Sequence, residues 1–170
     1  MALRFEPFDR QRSRKSFSCG NPELDEWFRH RACQHMRKHA AQVFVAVDDQ
    51  LGIAGFYSLS AFSIALTAFP EALVRKLPRY DAVPVALVGR LARDIGVAGK
   101  GIGDLLLADA VRRTLQASKS VGVYAIVVDA IDSKAAAFYE AFGFQRFTLH
   151  PSRLFLTLAT AAAALDAAEA

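Results

Sequence analysis

Gly99-Lys100-Gly101-Ile102-Gly103 follows an apolar run, Val83 to Leu91, and opens an amphipathic stretch, Asp104 to Ala117. The run reads as a buried central strand. The stretch reads as a helix that turns Leu105, Leu106, Ala108, Val111 and Leu115 inward. Three glycines at a strand-to-helix junction leave backbone N–H groups free to approach an anion at the helix N-terminus, where the dipole favours negative charge. The same cluster serves equally as a flexible turn. A dinucleotide fingerprint, G-x-G-x-x-G, is excluded because Asp104 stands where the third glycine belongs. A P-loop is excluded because Asp94 stands where its first glycine belongs. As a ligand site, the loop therefore reads as a pyrophosphate cradle of another kind.

Outward from the loop, Val123–Val128 is a second buried strand, Asp132 caps a helix through about Ala141, and Gly143 ends it. Residues 144–149 and 153–158 read as a final pair of strands, followed by an Ala-rich tail, weakly helical or frayed. Towards the N-terminus, residues 70–77 between Pro70 and Pro78 read as a short helix. Val43–Val47 and Ile53 to about Leu66 read as a hairpin around Asp48-Asp49-Gln50. Asn21-Pro22 announces a helix to about Lys38, with Asn21 as N-cap and Glu23, Asp25 and Glu26 in its first turn. Leu24, Phe28, Ala32 and Met36 form its apolar stripe. Glu26, His30, Gln34, Arg37 and Lys38 lie opposite. Leu3–Glu6 is a short strand, and a basic stretch of Arg10, Arg12, Arg14 and Lys15 follows it. The element order predicts a mixed α/β sheet.

The 170 residues suit one domain. At 53% hydrophobic and 22% charged, the chain is far from the composition of a disordered one. No run approaches the roughly 20 apolar residues of a membrane span, and the first residues lack a secretory pattern, so a cytoplasmic protein with no membrane partner is expected. Cys19 and Cys33 lack metal or redox spacing and read as reduced, semi-buried thiols. His35, His39 and His150 show no metal spacing either, and no metal site is expected. The net charge of +4 is too mild to name a nucleic acid by itself. Trp27, Phe8 and Phe17 read as core anchors rather than as base-stacking platforms.

The run strand, V-A-G-K-G-I-G, helix, strand and A-F-Y-E-A-F-G-F, from about Val83 to Phe147, resembles the GNAT acetyltransferase superfamily. The resemblance implies an α/β (α+β) fold with a mixed, mostly antiparallel central sheet of six to seven strands and about four flanking helices. Residues 1–160 would form a single GNAT-like domain and 161–170 the tail. The superfamily's acetyl-CoA loop, Q/R-x-x-G-x-G/A, falls on Ala98 to Gly103, with Ala98 in place of the polar first residue. Acetyl-CoA is implied as co-substrate. Leu91, Ala92, Arg93, Ala98, Gly99, Lys100, Gly101, Ile102, Gly103, Asp104 and Asp132 are its implied contacts, with Tyr139 as general acid. Three further segments extend the likeness over nearly the whole chain: F-S-C-G-N-P-E-L-D-E-W-F-R-H-R-A (Phe17–Ala32), G-F-Y-S-L-S (Gly55–Ser60) and V-P-V-A-L-V-G-R-L-A-R-D (Val83–Asp94). With Pro151–Leu156, P-S-R-L-F-L, they are similar to the GNAT toxins of bacterial toxin–antitoxin modules, which acetylate the α-amine of aminoacyl-tRNA. That likeness implies a DNA-binding antitoxin of ribbon-helix-helix type as partner and admits a homodimer.

Acetyl transfer from a thioester needs a neutral amine, a polarised carbonyl and a proton for the departing thiolate. Tyr139 can supply that proton, since a phenol stays protonated at neutral pH. Phe138, Tyr139, Phe142 and Phe144 also read simply as an aromatic core. Val83–Leu91 offers no carboxylate base. An α-amine, of pKa about 7.7–8, can attack through its own neutral fraction, whereas a lysine amine, near about 10.4, needs strong help. The missing base thus favours an aminoacyl ester, with Asp94 or a distant carboxylate left as an alternative base. His30, Arg37 and Lys38, with Arg75, Lys76 and Arg79, and Arg90 on the strand, are the expected contacts for tRNA phosphates, or else solvated faces. Two other functions remain open at this point: acetylation of a small amine or a protein N-terminus, and a catalytically silent acyl-CoA-binding regulator.

Overall fold

The computed structural model describes residues 2–169. Its strands are β1 (Arg4–Pro7), β2 (Gln42–Asp48), β3 (Gly52–Ala65), β4 (Ala82–Arg93), β5 (Ala125–Asp129), β6 (Gln145–Arg146) and β7 (Arg153–Thr157). Its helices are α1 (Pro22–His30), α2 (Ala32–Arg37), α3 (Glu71–Val74), α4 (Ile102–Ala117), α5 (Ser133–Phe142) and α6 (Leu158–Glu169). The strands hydrogen-bond in the order β1-β2-β3-β4-β5-β7-β6, and the β1/β2, β2/β3, β5/β7 and β6/β7 pairs are antiparallel. This is the expected mixed, mostly antiparallel α/β sheet, with more helices than the four expected. Contacts divide the chain into two compact units, residues up to 60 with 88–110, and residues 61–87 with 111 onward.

In the first unit, Val45 opposes Phe56 and a bulge falls between Ala46 and Val47. Phe8, Phe17, Trp27, Phe28, Val43, Val45 and Phe56 are buried together, and the Phe28 and Phe56 rings stack at 4.2 Å with planes 2° apart. The expected anchoring role of Trp27, Phe8 and Phe17 is thus borne out. Asn21 caps α1 through Oδ1, which accepts the N–H groups of Glu23 at 3.0 Å and Leu24 at 3.2 Å.

One helix to Lys38 was expected, but the chain breaks at Arg31 (φ −121°, ψ −23°) and restarts as α2. A straight helix turns about 400° in four residues, so a stripe repeating every fourth residue drifts by about 40° per step. The break resets that phase, and Leu24, Phe28, Ala32 and Met36 all pack on the core. The expected inward set of α4 is also corrected. Leu105 is 46% exposed, whereas Ile102, Leu106, Leu107, Ala110 and Val111 are buried. The run Leu105-Leu106-Leu107 permits several helical phases. Leu106 takes the inner one, where glycine at 55 leaves room: a Cβ there would lie 2.6 Å from Leu106 Cδ1.

The second unit centres on Ile64, Phe69, Val83, Val85, Val127, Phe147 and Phe155. The Phe69 ring meets Phe147 and Phe155 edge-on, each at 5.2 Å. Asp132 caps α5 by accepting the Ala135 N–H at 2.8 Å, and Gly143 (φ +120°) ends it, as expected. The strand expected over 144–149 shrinks to two residues because Phe147 turns into the core. The helix expected over 70–77 is regular only over α3. Around it, the Leu73 N–H bonds Pro70 O and the Leu77 N–H bonds Val74 O, tight three-residue closures. The tail is helical from Leu158, with Leu158 and Ala161 buried.

Candidate active site

β4 delivers the chain to the glycine loop through a pair of buried carboxylates. The Asp94 N–H bonds Ala54 O at 2.8 Å. Asp94 Oδ1 accepts the Ser18 N–H at 3.0 Å and Oδ2 accepts the Gly96 N–H at 2.8 Å. Ile95 N–H returns to Ser18 O at 2.8 Å. On the other side of the same turn, Asp25 accepts the Ser18 hydroxyl at 3.0 Å and the Cys19 N–H at 2.9 Å. Burial alone would raise the Asp25 carboxyl, but the hydrogen bonds from Cys19 and Ser18 and the nearby Arg29 charge outweigh it and hold it below the usual range. Asp94 commits both oxygens to backbone N–H groups, which leaves it poorly placed as a catalytic base. The role of these two aspartates is not legible in the sequence, because Asp94 meets Ser18 across 76 residues.

Beyond the clamp, a short 3-10 turn, Ile95–Val97, leads to Ala98, whose extended backbone (φ −56°, ψ 140°) exposes only a methyl side chain. Gly99 (φ +77°) and Gly101 (φ +74°) then adopt the left-handed conformation that glycine accepts freely, and a Cβ at either would meet nothing within 4 Å. Gly99, Lys100 and Gly101 are exposed. The helix starts at Ile102, so the N–H groups of Ile102, Gly103 and Asp104 have no intrahelical acceptor. Positive-φ glycines, open space and a helix N-terminus give the loop the shape of a backbone cradle for a phosphate group. Leu91 and Arg93 on β4 are half-buried, and Ala92 is buried in the first core.

Tyr139 and Asp132 belong to the second unit. Tyr139 is 6% exposed, with Phe138 at 5.2 Å and Phe144 at 5.7 Å between ring centroids. Burial, and then the Asp129 charge, push its phenol up to about 12. It is therefore a ring of the aromatic core whose hydroxyl stays protonated at every physiological pH. Asp132 is exposed and its carboxylate serves as the cap of α5.

The basic residues fall into three settings. His30, Arg37 and Lys38 are exposed in the first unit, and Arg37 borders an open cavity with Arg10 and Arg14. His30 lies 3.8 Å from Glu26 one turn earlier. Arg75, Lys76 and Arg79 are exposed in the second unit, where Arg75 pairs with Glu71 at 3.0 Å. Arg90 is half-buried, its guanidinium 4.2 Å from the Trp27 ring centroid. Both cysteines are free and half-buried, as expected, and burial pushes the Cys19 thiol up to about 11. Among the described residues no His, Cys, Asp or Glu cluster is arranged to hold a metal ion, and no helix is long and apolar enough to cross a membrane.

No family model matches the chain. It is 39% identical over 148 residues to a tRNA-acetylating toxin of Mycobacterium tuberculosis, covering 87% of both chains. It is 30% identical over 164 residues to a probable toxin TacT of Sinorhizobium fredii, covering 91% of both. Among solved structures, a variant of KacT superposes with a TM-score of 0.90 at 26% identity, over 96% of this chain and 99% of that one. With the loop, strand and cap geometry above, this degree of likeness over most of both lengths means that the chain belongs to the GNAT-type tRNA-acetylating toxins.

Proposed function

We propose that this protein moves the acetyl group of acetyl-CoA to the α-amine of aminoacyl-tRNA and so blocks translation as the toxin of a toxin–antitoxin module. The observation that carries the reading is the 39% identity to a tRNA-acetylating toxin across 87% of both chains. The open glycine loop supports it independently. In this reading the N–H groups of Gly99 and of Gly101 to Asp104 take the pyrophosphate of the coenzyme, the Lys100 side chain adds charge while its N–H stays on Val97 O, and the backbone of Leu91 to Arg93 takes its pantetheine arm. A thioester carbonyl attacked by the neutral amine becomes a tetrahedral adduct; the adduct's nitrogen loses one proton to water, the C–S bond breaks to leave the amide, and the expelled thiolate takes up a proton from solvent. Tyr139 donates its hydroxyl proton in a hydrogen bond to the sulfur as it gains charge. A phenol near 12 holds its proton, so its contribution is stabilisation of the leaving thiolate.

The α-amine attacks through its neutral fraction, and no base on β4 is required. His30, Arg37, Lys38, Arg75, Lys76, Arg79 and Arg90 are proposed to meet phosphates. The reaction is proposed to take place in the cytoplasm, where charged tRNA is. A ribbon-helix-helix antitoxin and a second copy of the chain are the proposed protein partners. The test is direct: purified protein, labelled acetyl-CoA and individually charged tRNAs, with the label followed into the aminoacyl ester. Label recovered as N-acetyl-aminoacyl-tRNA supports the reading. Label entering only small amines or protein N-termini, or none at all despite coenzyme binding, overturns it.

A further inference from the structure

Trp27, Arg31 and His35 recur every four residues through the break between α1 and α2, which places them along one face. Arg90 on β4 lies over the Trp27 ring at 4.2 Å, and His35 meets that ring edge-on at 5.3 Å. The Trp27 side chain is 4% exposed, and its indole Nε1 is buried without a hydrogen-bond partner. A buried donor left unmade is costly in a folded protein and is commonly resolved by a ligand or an ordered group. Arg90 is held below the usual guanidinium range, first by burial and then by the like charge of Arg31. Among the described residues no carboxylate pairs with Arg90, so the guanidinium over the Trp27 ring, the neighbouring Arg31 charge and the unpartnered indole N–H have no acceptor of their own. The two guanidiniums and the indole N–H can only donate, which selects a ligand that accepts and carries negative charge.

We propose that Arg31, Arg90 and the Trp27 indole N–H form an anion site that takes a phosphate of the single-stranded acceptor end of the charged tRNA. The site rests on the acetyl-transfer reading above and specifies where the substrate's backbone is held. A guanidinium already held over an indole has lost much of its rotational freedom, so it meets the phosphate from a preset position. The role is binding rather than chemistry, and its signature is a rise in KM with kcat retained.

The experiment measures KM and kcat for a charged tRNA that the wild type acetylates, at several salt concentrations, in the wild type, Arg31→Gln, Arg90→Gln, Arg90→Lys and Trp27→Phe. Each glutamine variant is expected to raise KM about tenfold, the scale of one charge-assisted hydrogen bond. Each should also lower the salt slope by about 0.7 for a contact to a single strand. Arg90→Lys should recover part of the loss, and Trp27→Phe, which keeps an apolar ring but removes the donor, should raise KM about threefold. Acetyl-CoA affinity, measured by calorimetry, should stay at the wild-type value in all four. Arg31 is exposed, so its variant keeps the test sound if a change at Trp27 prevents folding. An active wild type beside glutamine variants with unchanged KM and salt slope overturns this site alone. Variants that lose only affinity for an acidic peptide overturn it in favour of a protein ligand. A wild type inert toward every charged tRNA overturns the acetyl-transfer reading and this ligand with it.

Discussion

At Gly55 an added Cβ would sit 2.6 Å from Leu106 Cδ1 and 2.9 Å from the Ala92 carbonyl oxygen, whereas at Gly99 and Gly101 it would meet nothing within 4 Å. The first glycine exists because two elements crowd it. The others exist because the backbone must take a positive φ and because nothing of the protein occupies the space in front. One residue type thus marks a seam that must be closed and, some 45 residues on, a surface left open for a ligand. Substitution separates the two uses, since the first should act on stability and the second on binding.

The largest expected effect is at the open loop. Gly101→Val should abolish acetyl-CoA binding, because a β-branched residue resists the positive φ and projects into the space the pyrophosphate needs. Its unfolding transition should shift by no more than the backbone strain, about 1–3 kcal/mol. Calorimetry that finds wild-type affinity would erase the distinction between the two glycine sites. Next in size is Tyr139→Phe, which keeps the ring in the aromatic cluster and removes only the hydroxyl. A fall in kcat of about a hundredfold, at the low end of the usual contribution of a proton donor, is expected. Coenzyme affinity should not change. An unchanged kcat would reduce Tyr139 to a core ring.

At the closed seam, Gly55→Ala should cost about 1–3 kcal/mol in urea unfolding, the usual penalty for overpacking, while coenzyme affinity falls far less than in Gly101→Val. The two contacts set this size. Leu106 is a side chain that can rotate, but the Ala92 oxygen is backbone and cannot retreat without disturbing β4. Lost coenzyme binding with unchanged stability would invert the comparison.

The same contrast explains what was legible in the sequence. Asn21, Asp132 and Gly143 act on backbone groups two to four residues away, and Pro22 fixes its own φ at the first helical position, so their roles are written in local order. The glycine loop was readable for the same reason. The Asp94 bond to Ser18 spans 76 residues, and nothing in either segment names the other. The break at Arg31 and the outward turn of Leu105 were hidden because several helical phases satisfy the same apolar letters. Packing against the sheet chose among them. Trp27 was correctly read as a core anchor, but its orphan N–H is a property of its surroundings and not of its position in the sequence.

The smallest expected effect is an absence of titration. A tyrosine that donates is lost from its role when pH rises through its pKa, and burial, with the Asp129 charge behind it, has moved that point for Tyr139 up to about 12. The attacking α-amine, about 7.7–8 in peptides, titrates lower beside an ester, and only its neutral form reacts. The rate at saturating acetyl-CoA should therefore climb between pH 6 and pH 8.5, level off, and show no descending limb below pH 9 once ester hydrolysis is subtracted. Asp129→Asn removes the lesser cause and leaves burial, so the phenol moves down only part of the way towards its ordinary value of about 10. The profile below pH 9 should then be superimposable on the wild type. The stability sign runs the same way: an unfolded tyrosine ionises near about 10 while the folded one does not, so alkaline unfolding should set in above that pH and be weakened in Tyr139→Phe. A descending limb near pH 8 that vanished in Tyr139→Phe would mean that the hydroxyl titrates below its ordinary value of about 10, contrary to the packed ring of α5.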